Sequence, residues 1–91
     1  PAWSNRMEKY PKVRSVEALP GKRLKVVFDN GAARHYDCSP LLELPAFRAL
    51  KDDVFFRNVR PDVHGHGVIW TDDIDLAESE LWLKGKAERA A

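Results

Sequence analysis

Apolar and polar positions alternate in two stretches of this chain and follow helical spacing in two others, with turn residues between them. Lys12 to Leu19, rich in Val and Ser and closed by Pro20-Gly21, predicts a first strand. From Arg23 to Cys38 the pattern is clearest. Leu24, Val26 and Phe28 alternate with Arg23, Lys25 and Asp29 ahead of Asp29-Asn30-Gly31, which predicts a β-hairpin. A two-residue Asn30-Gly31 turn would set the three apolar residues opposite Asp37, His35 and Ala33. A three-residue loop with Gly31 in a left-handed bulge position sets them opposite Tyr36, Arg34 and Ala32. A slip of one residue exchanges the two faces of a strand, so burial of Tyr36 and Cys38 selects the bulged loop.

Ser39-Pro40 reads as a helix cap followed by proline in the first turn, and Pro45 restarts or kinks the segment. Leu41, Leu42, Leu44, Phe47 and Leu50 then provide an apolar side for packing on a sheet. Asp52-Asp53 can cap one further short turn carrying Val54, Phe55 and Phe56. Val59, Pro61 and Val63, a turn at Gly65-His66, and Val68-Ile69-Trp70 predict a second hairpin, with Pro61 at an edge or a bulge. Asp75, with Glu78 three residues on, reads as a capping pair opening a helix through Lys84, and Gly85 reads as its stop. The expected fold class is therefore α+β: a small antiparallel sheet built from hairpins, with two or three helices packed on it. The expected organisation is an N-terminal extension over 1–9, one domain over 10–85 and a frayed tail over 86–91.

Composition narrows the function classes. A chain of 91 residues is one domain, burying roughly 60–65% of the surface its unfolded form exposes, so a large enclosed active site is not expected. Fifteen Lys and Arg against fourteen Asp and Glu leave a formal charge of +1, so no global field draws the domain to nucleic acid or an anionic membrane. A single cysteine, Cys38, excludes an internal disulfide, and neither a signal-peptide pattern nor a long apolar run is visible. A reducing, cytoplasmic setting without a membrane span is expected.

Three groups of side chains invite chemistry. Asp62, His64 and His66 would share one face of an extended strand as metal ligands, but the glycines on either side of His66 favour a polar hairpin tip, and no fourth ligand is evident. Asp72, Asp73 and Asp75 can be read as a carboxylate cluster, or more simply as acids ahead of a helix. Cys38 and His35 stand three apart on a strand, hence on opposite faces, which disfavours a nucleophile–base pair. No other catalytic arrangement or cofactor motif stands out, so neither enzymatic activity nor a cofactor is expected. Arg48, Lys51, Arg57 and Arg60 could gather into a basic patch for nucleic acid. Phe55, Phe56 and Trp82 could form an aromatic contact surface for a protein partner.

Tyr10-Pro11-Lys12-Val13, Leu24 to Phe28 with Asp29-Asn30-Gly31, Tyr36-Asp37-Cys38-Ser39-Pro40-Leu41-Leu42, the glycine-flanked His66, Ile69-Trp70, Asp75-Leu76 and Leu81 together resemble a bacterial family, domain of unknown function 2442. The resemblance spans roughly residues 10 to 82. It implies a small α+β fold with one antiparallel sheet and helices against it, and it brings no agreed catalytic residues. Some relatives add a helix-turn-helix module, and family genes often sit beside another small gene in an arrangement like that of toxin–antitoxin pairs. Ten residues follow Leu81 here, so the fused module is not expected in this stretch. The leading expectation is a non-catalytic interaction or regulatory module that binds a protein partner, antitoxin-like, through a sheet edge or the aromatic helix surface, with homodimerisation through an edge strand also considered. The alternatives are nucleic-acid binding through the basic patch and metal binding by Asp62, His64 and His66.

Overall fold

A computed structural model describes residues 10–88; the expected extension over 1–9 and the last three residues of the expected tail lie outside them. The fold is α+β, as the patterning predicts, but its strands form two antiparallel sheets rather than one. The first contains β1 (Val13–Leu19), β2 (Arg23–Phe28), β3 (Ala33–Asp37) and β7 (Lys86–Ala87) in the order β1-β2-β3-β7. The second is β4 (Arg60–Pro61), β5 (Gly67–Thr71) and β6 (Ile74–Ala77). Between the sheets in sequence run two 3-10 segments, Ser39–Glu43 and Pro45–Lys51, and helix α1 (Asp53–Arg57); helix α2 (Glu78–Lys84) precedes β7.

The β2–β3 hairpin has the bulged register. Leu24 faces Tyr36 and Val26 faces Arg34, while Phe28 N–H donates to Ala32 O at 2.8 Å around the loop. Gly31 has φ 88°, the left-handed conformation a side chain resists. This register buries Leu24, Val26 and Phe28 completely. Pro61 lies in the edge strand of the second sheet, where its missing N–H costs no ladder bond.

The proline-punctuated segment is 3-10 rather than α-helical. Pro45 has no N–H to return to Leu41, whose carbonyl is taken by Leu44 N–H at 2.9 Å, and Leu44 is extended, as a residue before proline prefers. Ser39 does not cap this segment through its side chain; Asp37 Oδ1 accepts from Ser39 N–H at 2.9 Å instead. Leu50 is buried, whereas Leu44 is about half exposed. Asp52 does cap α1, its carboxylate accepting from Val54 N–H at 3.1 Å.

Two expectations near the C-terminus are corrected. Asp75 does not open a helix: Ile74–Ala77 is strand β6, with Leu76 opposite Val68 and Asp75 opposite Ile69. Buried Val68 and Trp70 need a paired neighbour, and Ile74 to Ala77 alternates inward and outward with Leu76 inside. Asp72 and Asp73 form the turn between β5 and β6, not the approach to a helix. The second correction concerns Lys86 and Ala87, which are not frayed but pair with His35 and Arg34. Gly85 ends α2 as expected, yet in extended conformation; a Cβ there would lie 2.4 Å from Leu81 O, so close packing requires the glycine.

The two sheets are tied to each other and to the helices. Val13 N–H of the first sheet donates to Gly65 O in the loop before β5 at 2.8 Å, Trp70 Nε1 of the second donates to Phe56 O on α1 at 2.9 Å, and Phe28 of the first meets Trp82 on α2 edge-on at 5.1 Å.

Candidate binding surface

The two edges of the larger sheet are treated differently. On the β3 side, β7 covers Arg34 and His35, and Glu88 fastens it. The Glu88 carboxylate lies 2.8 Å from His35 Nε2 and 3.3 Å from Lys25 Nζ, which hold it below its usual pKa. On the other side, β1 is bonded to β2, and its outer edge makes a main-chain bond at Val13. From Arg14 to Leu19 no further main-chain bond leaves that edge among the described residues, but β4 lies beside it and α1 stands against it.

Beside the C-terminal half of β1 lies a groove of about 500 Å³, walled by Ala18, Leu19 and the turn on one side and by α1 on the other. Local backbone chemistry shapes it. Gly21 and Lys22 both take positive φ, 80° and 59°, and for lysine that conformation is unfavourable. The Lys22 side chain offsets the cost: Nζ donates to Lys51 O at 3.1 Å, pairs with the Asp53 carboxylate and sits 5.4 Å above the Phe56 ring. That ammonium holds the Asp53 carboxyl below its ordinary pKa, with Arg57 adding a smaller pull. Ala18 and Leu19 give the groove its apolar wall, Phe56 lies buried beneath Lys22, and Arg57, in the last turn of α1, stands exposed on the rim.

The residues named as candidates are separated by the fold. Phe56 is a core residue, 2% exposed, so it is not part of an exposed aromatic surface. Phe55 is half-buried against the core. Trp82 is committed elsewhere, with Phe28 against it and the Arg34 guanidinium 3.9 Å from its ring centroid. Arg48 and Lys51 occupy the last turn of the second 3-10 segment, close in sequence to Arg57. Arg60 lies in β4 of the second sheet, where its Nη1 donates to Trp70 O of the neighbouring β5 at 3.3 Å. None of these four cations is in an ion pair among the described residues.

Asp62, His64 and His66 form a hairpin tip. The Asp62 carboxylate accepts from the backbone N–H of His64 at 2.9 Å and of His66 at 3.3 Å, which lowers its pKa, and the two imidazole centroids lie 5.9 Å apart. The carboxylate thus organises the turn; among the described residues no three His, Cys, Asp or Glu side chains are placed to hold a metal ion.

Cys38 is fully buried, and burial pushes its thiol up to about 12. It should therefore resist iodoacetamide at pH 8 in the native protein and react only when urea unfolds the chain; rapid native labelling would contradict its placement. Tyr36 donates to Glu80 Oε2 at 2.7 Å beside a smaller hollow of about 310 Å³, and burial raises its pKa further above the ordinary range. Neither this pair nor the Lys22 anchor is visible in the sequence, since each joins residues more than 25 positions apart.

The model of one protein family, described as "Protein of unknown function (DUF2442)", matches residues 13–87. The chain belongs to this family. Among solved structures, the crystal structure of "Putative DNA Binding Protein NE0471" from Nitrosomonas europaea ATCC 19718 is similar, with a TM-score of 0.64 and 26% sequence identity over 78% of this chain. The match covers 45% of that protein, so the present chain spans less than half its length. No curated protein sequence matches. Among the described residues, no helix is long and apolar enough to cross a membrane.

Proposed function

We propose that the domain is a non-catalytic interaction module that binds a protein partner at the groove between the C-terminal half of β1 and α1. The observation carrying this reading is that groove, of about 500 Å³, with Ala18 and Leu19 along one wall and exposed Arg57 on its rim, while β7 and β4 lie along the two sides of the larger sheet. The two strongly shifted groups, Cys38 and Tyr36, are both held neutral, which suits a structural role better than nucleophilic catalysis. The gene pairing common among the relatives this chain resembles makes a small toxin-like protein the first partner to try. The test is affinity capture from the native cytoplasm at moderate salt, followed by amide hydrogen exchange on the purified complex. One protein held stoichiometrically, with exchange slowed in Ala18 to Lys22 and in α1, is the expected result. Unchanged exchange around the groove, or no stoichiometric partner, would overturn the reading.

A second reading, nucleic-acid binding, is favoured by the name of the similar crystal structure and by exposed Arg48, Lys51 and Arg57. It requires binding that falls steeply with salt and is lost when these three are reversed in charge. A flat anisotropy titration at low salt against mixed DNA and RNA would eliminate it.

A further inference from the structure

The loop that closes the β2–β3 hairpin holds a chemically labile pair of residues. Asn30 is followed by Gly31, whereas Asn5 and Asn58 are followed by Arg6 and Val59. Both loop residues are exposed, and a Cβ built on Gly31 would meet nothing within 4 Å, so the junction is open to water. Two hydrogen bonds fix its conformation. Gly31 N–H donates to Phe28 O at 3.0 Å, and Asn30 Oδ1 accepts from Ala32 N–H at 2.9 Å, the turn that an asparagine side chain makes with the backbone two residues on. We propose that Asn30 is a site of spontaneous deamidation gated by this hairpin, protected while the loop is closed and converted when it opens.

In the reaction the Gly31 nitrogen loses its proton to solvent base and attacks Asn30 Cγ. The N–Cγ bond forms, the Cγ–Nδ2 bond breaks, and the amide nitrogen takes a proton from solvent and leaves as ammonia. Water then opens the cyclic imide at either carbonyl, leaving aspartate or isoaspartate. Glycine at the next position favours the attack because it brings no side chain beside the nitrogen and lets the backbone rotate freely. The closed loop opposes it, since the proton to be lost is the one donated to Phe28 O, and its removal needs the same local opening that amide hydrogen exchange needs. The two products differ in their effect. Aspartate keeps the length of the main chain, and its carboxylate can accept from Ala32 N–H in place of the amide. Isoaspartate routes the main chain through Cγ and so adds a methylene to a loop whose length sets which faces of β2 and β3 are buried.

The full chain, incubated at mildly alkaline pH either folded in buffer or unfolded in urea, tests the proposal. Conversion is read by mass spectrometry of the tryptic peptide Val26–Arg34, and opening of the loop by hydrogen exchange of the Gly31 amide. Asn30 should convert roughly tenfold more slowly in the folded chain than in urea, the factor that one or two turn hydrogen bonds supply, and its folded rate should follow the opening seen at Gly31. Asn58, ahead of β-branched Val59, should stay intact over the same period. Chains isolated with isoaspartate should unfold at lower urea concentration than Asn30→Asp, which carries the same charge without the longer main chain. Equal rates in the folded and unfolded chain would overturn the gating, and conversion of Asn58 as fast as Asn30 in urea would overturn the site. Isoaspartate chains as stable as Asn30→Asp would show that the loop accepts the longer main chain without a change of register, against the proposal.

Discussion

Adding a single methyl group at Gly67 should lower the melting temperature by roughly 20 °C, taking about 5 °C per kcal/mol for a domain of this size. Gly67 lies in β5 with φ 147°, and a Cβ built there would fall 2.0 Å from Leu76 O and 3.0 Å from Leu76 C. Those atoms belong to the paired backbone of β6, so the clash cannot be relieved by rotating a side chain. The backbone conformation contributes about 1–3 kcal/mol and the crowding a similar amount, against a total stability of roughly 5–10 kcal/mol. Gly31→Ala separates the two causes, because Gly31 also has positive φ, 88°, but open space where the methyl would go. It should cost only about 1 kcal/mol. Urea unfolding of both variants checks the argument, and equal losses would show that crowding at Gly67 is relieved by a strand shift.

Phe28→Ala should cost about 3–5 kcal/mol, the range for removing a large ring from a packed interior. Phe28 is fully buried at the end of β2, pairs with Val13, anchors the Asp29-Asn30-Gly31 loop through its main chain and packs edge-on against Trp82. Truncation therefore removes apolar area and also the contact joining the sheet to α2. Val54→Ala on α1, where the side chain is 63% exposed, should change stability by no more than about 0.5 kcal/mol. A loss below 1 kcal/mol for Phe28→Ala would mean that the core closes over the void.

The β2–β3 hairpin was legible because its information is local: Asp29-Asn30-Gly31 sets the loop, and burial of Leu24 and Tyr36 on one face selects between two registers. The Asp52 cap and the edge position of Pro61 were legible for the same reason. Asp75 misled because an acid ahead of an apolar run serves equally as a helix cap or as the outward residue of a strand, and only the burial of Val68 and Trp70 decides. The pair Lys86-Ala87 carries no local signal, since β7 exists only where β3 offers an edge about fifty residues away. Of the binding surface, Arg57 and Phe56 stood out by residue type, but the groove depends on Lys22 reaching across to α1, a contact between residues 31 apart. Periodicity has no means of reporting such a contact, and it gave Phe56 the wrong side of the surface.

Phe56 lies beneath the groove and in the core, with its backbone carbonyl held by Trp70. A residue shared in this way would link occupancy to folding by mass action: a molecule that seats only in the native groove would, at a hundredfold excess over its dissociation constant, raise stability by about 2.7 kcal/mol. In a cell that degrades unfolded chains, the abundance of this small domain would then track the supply of whatever fills the groove.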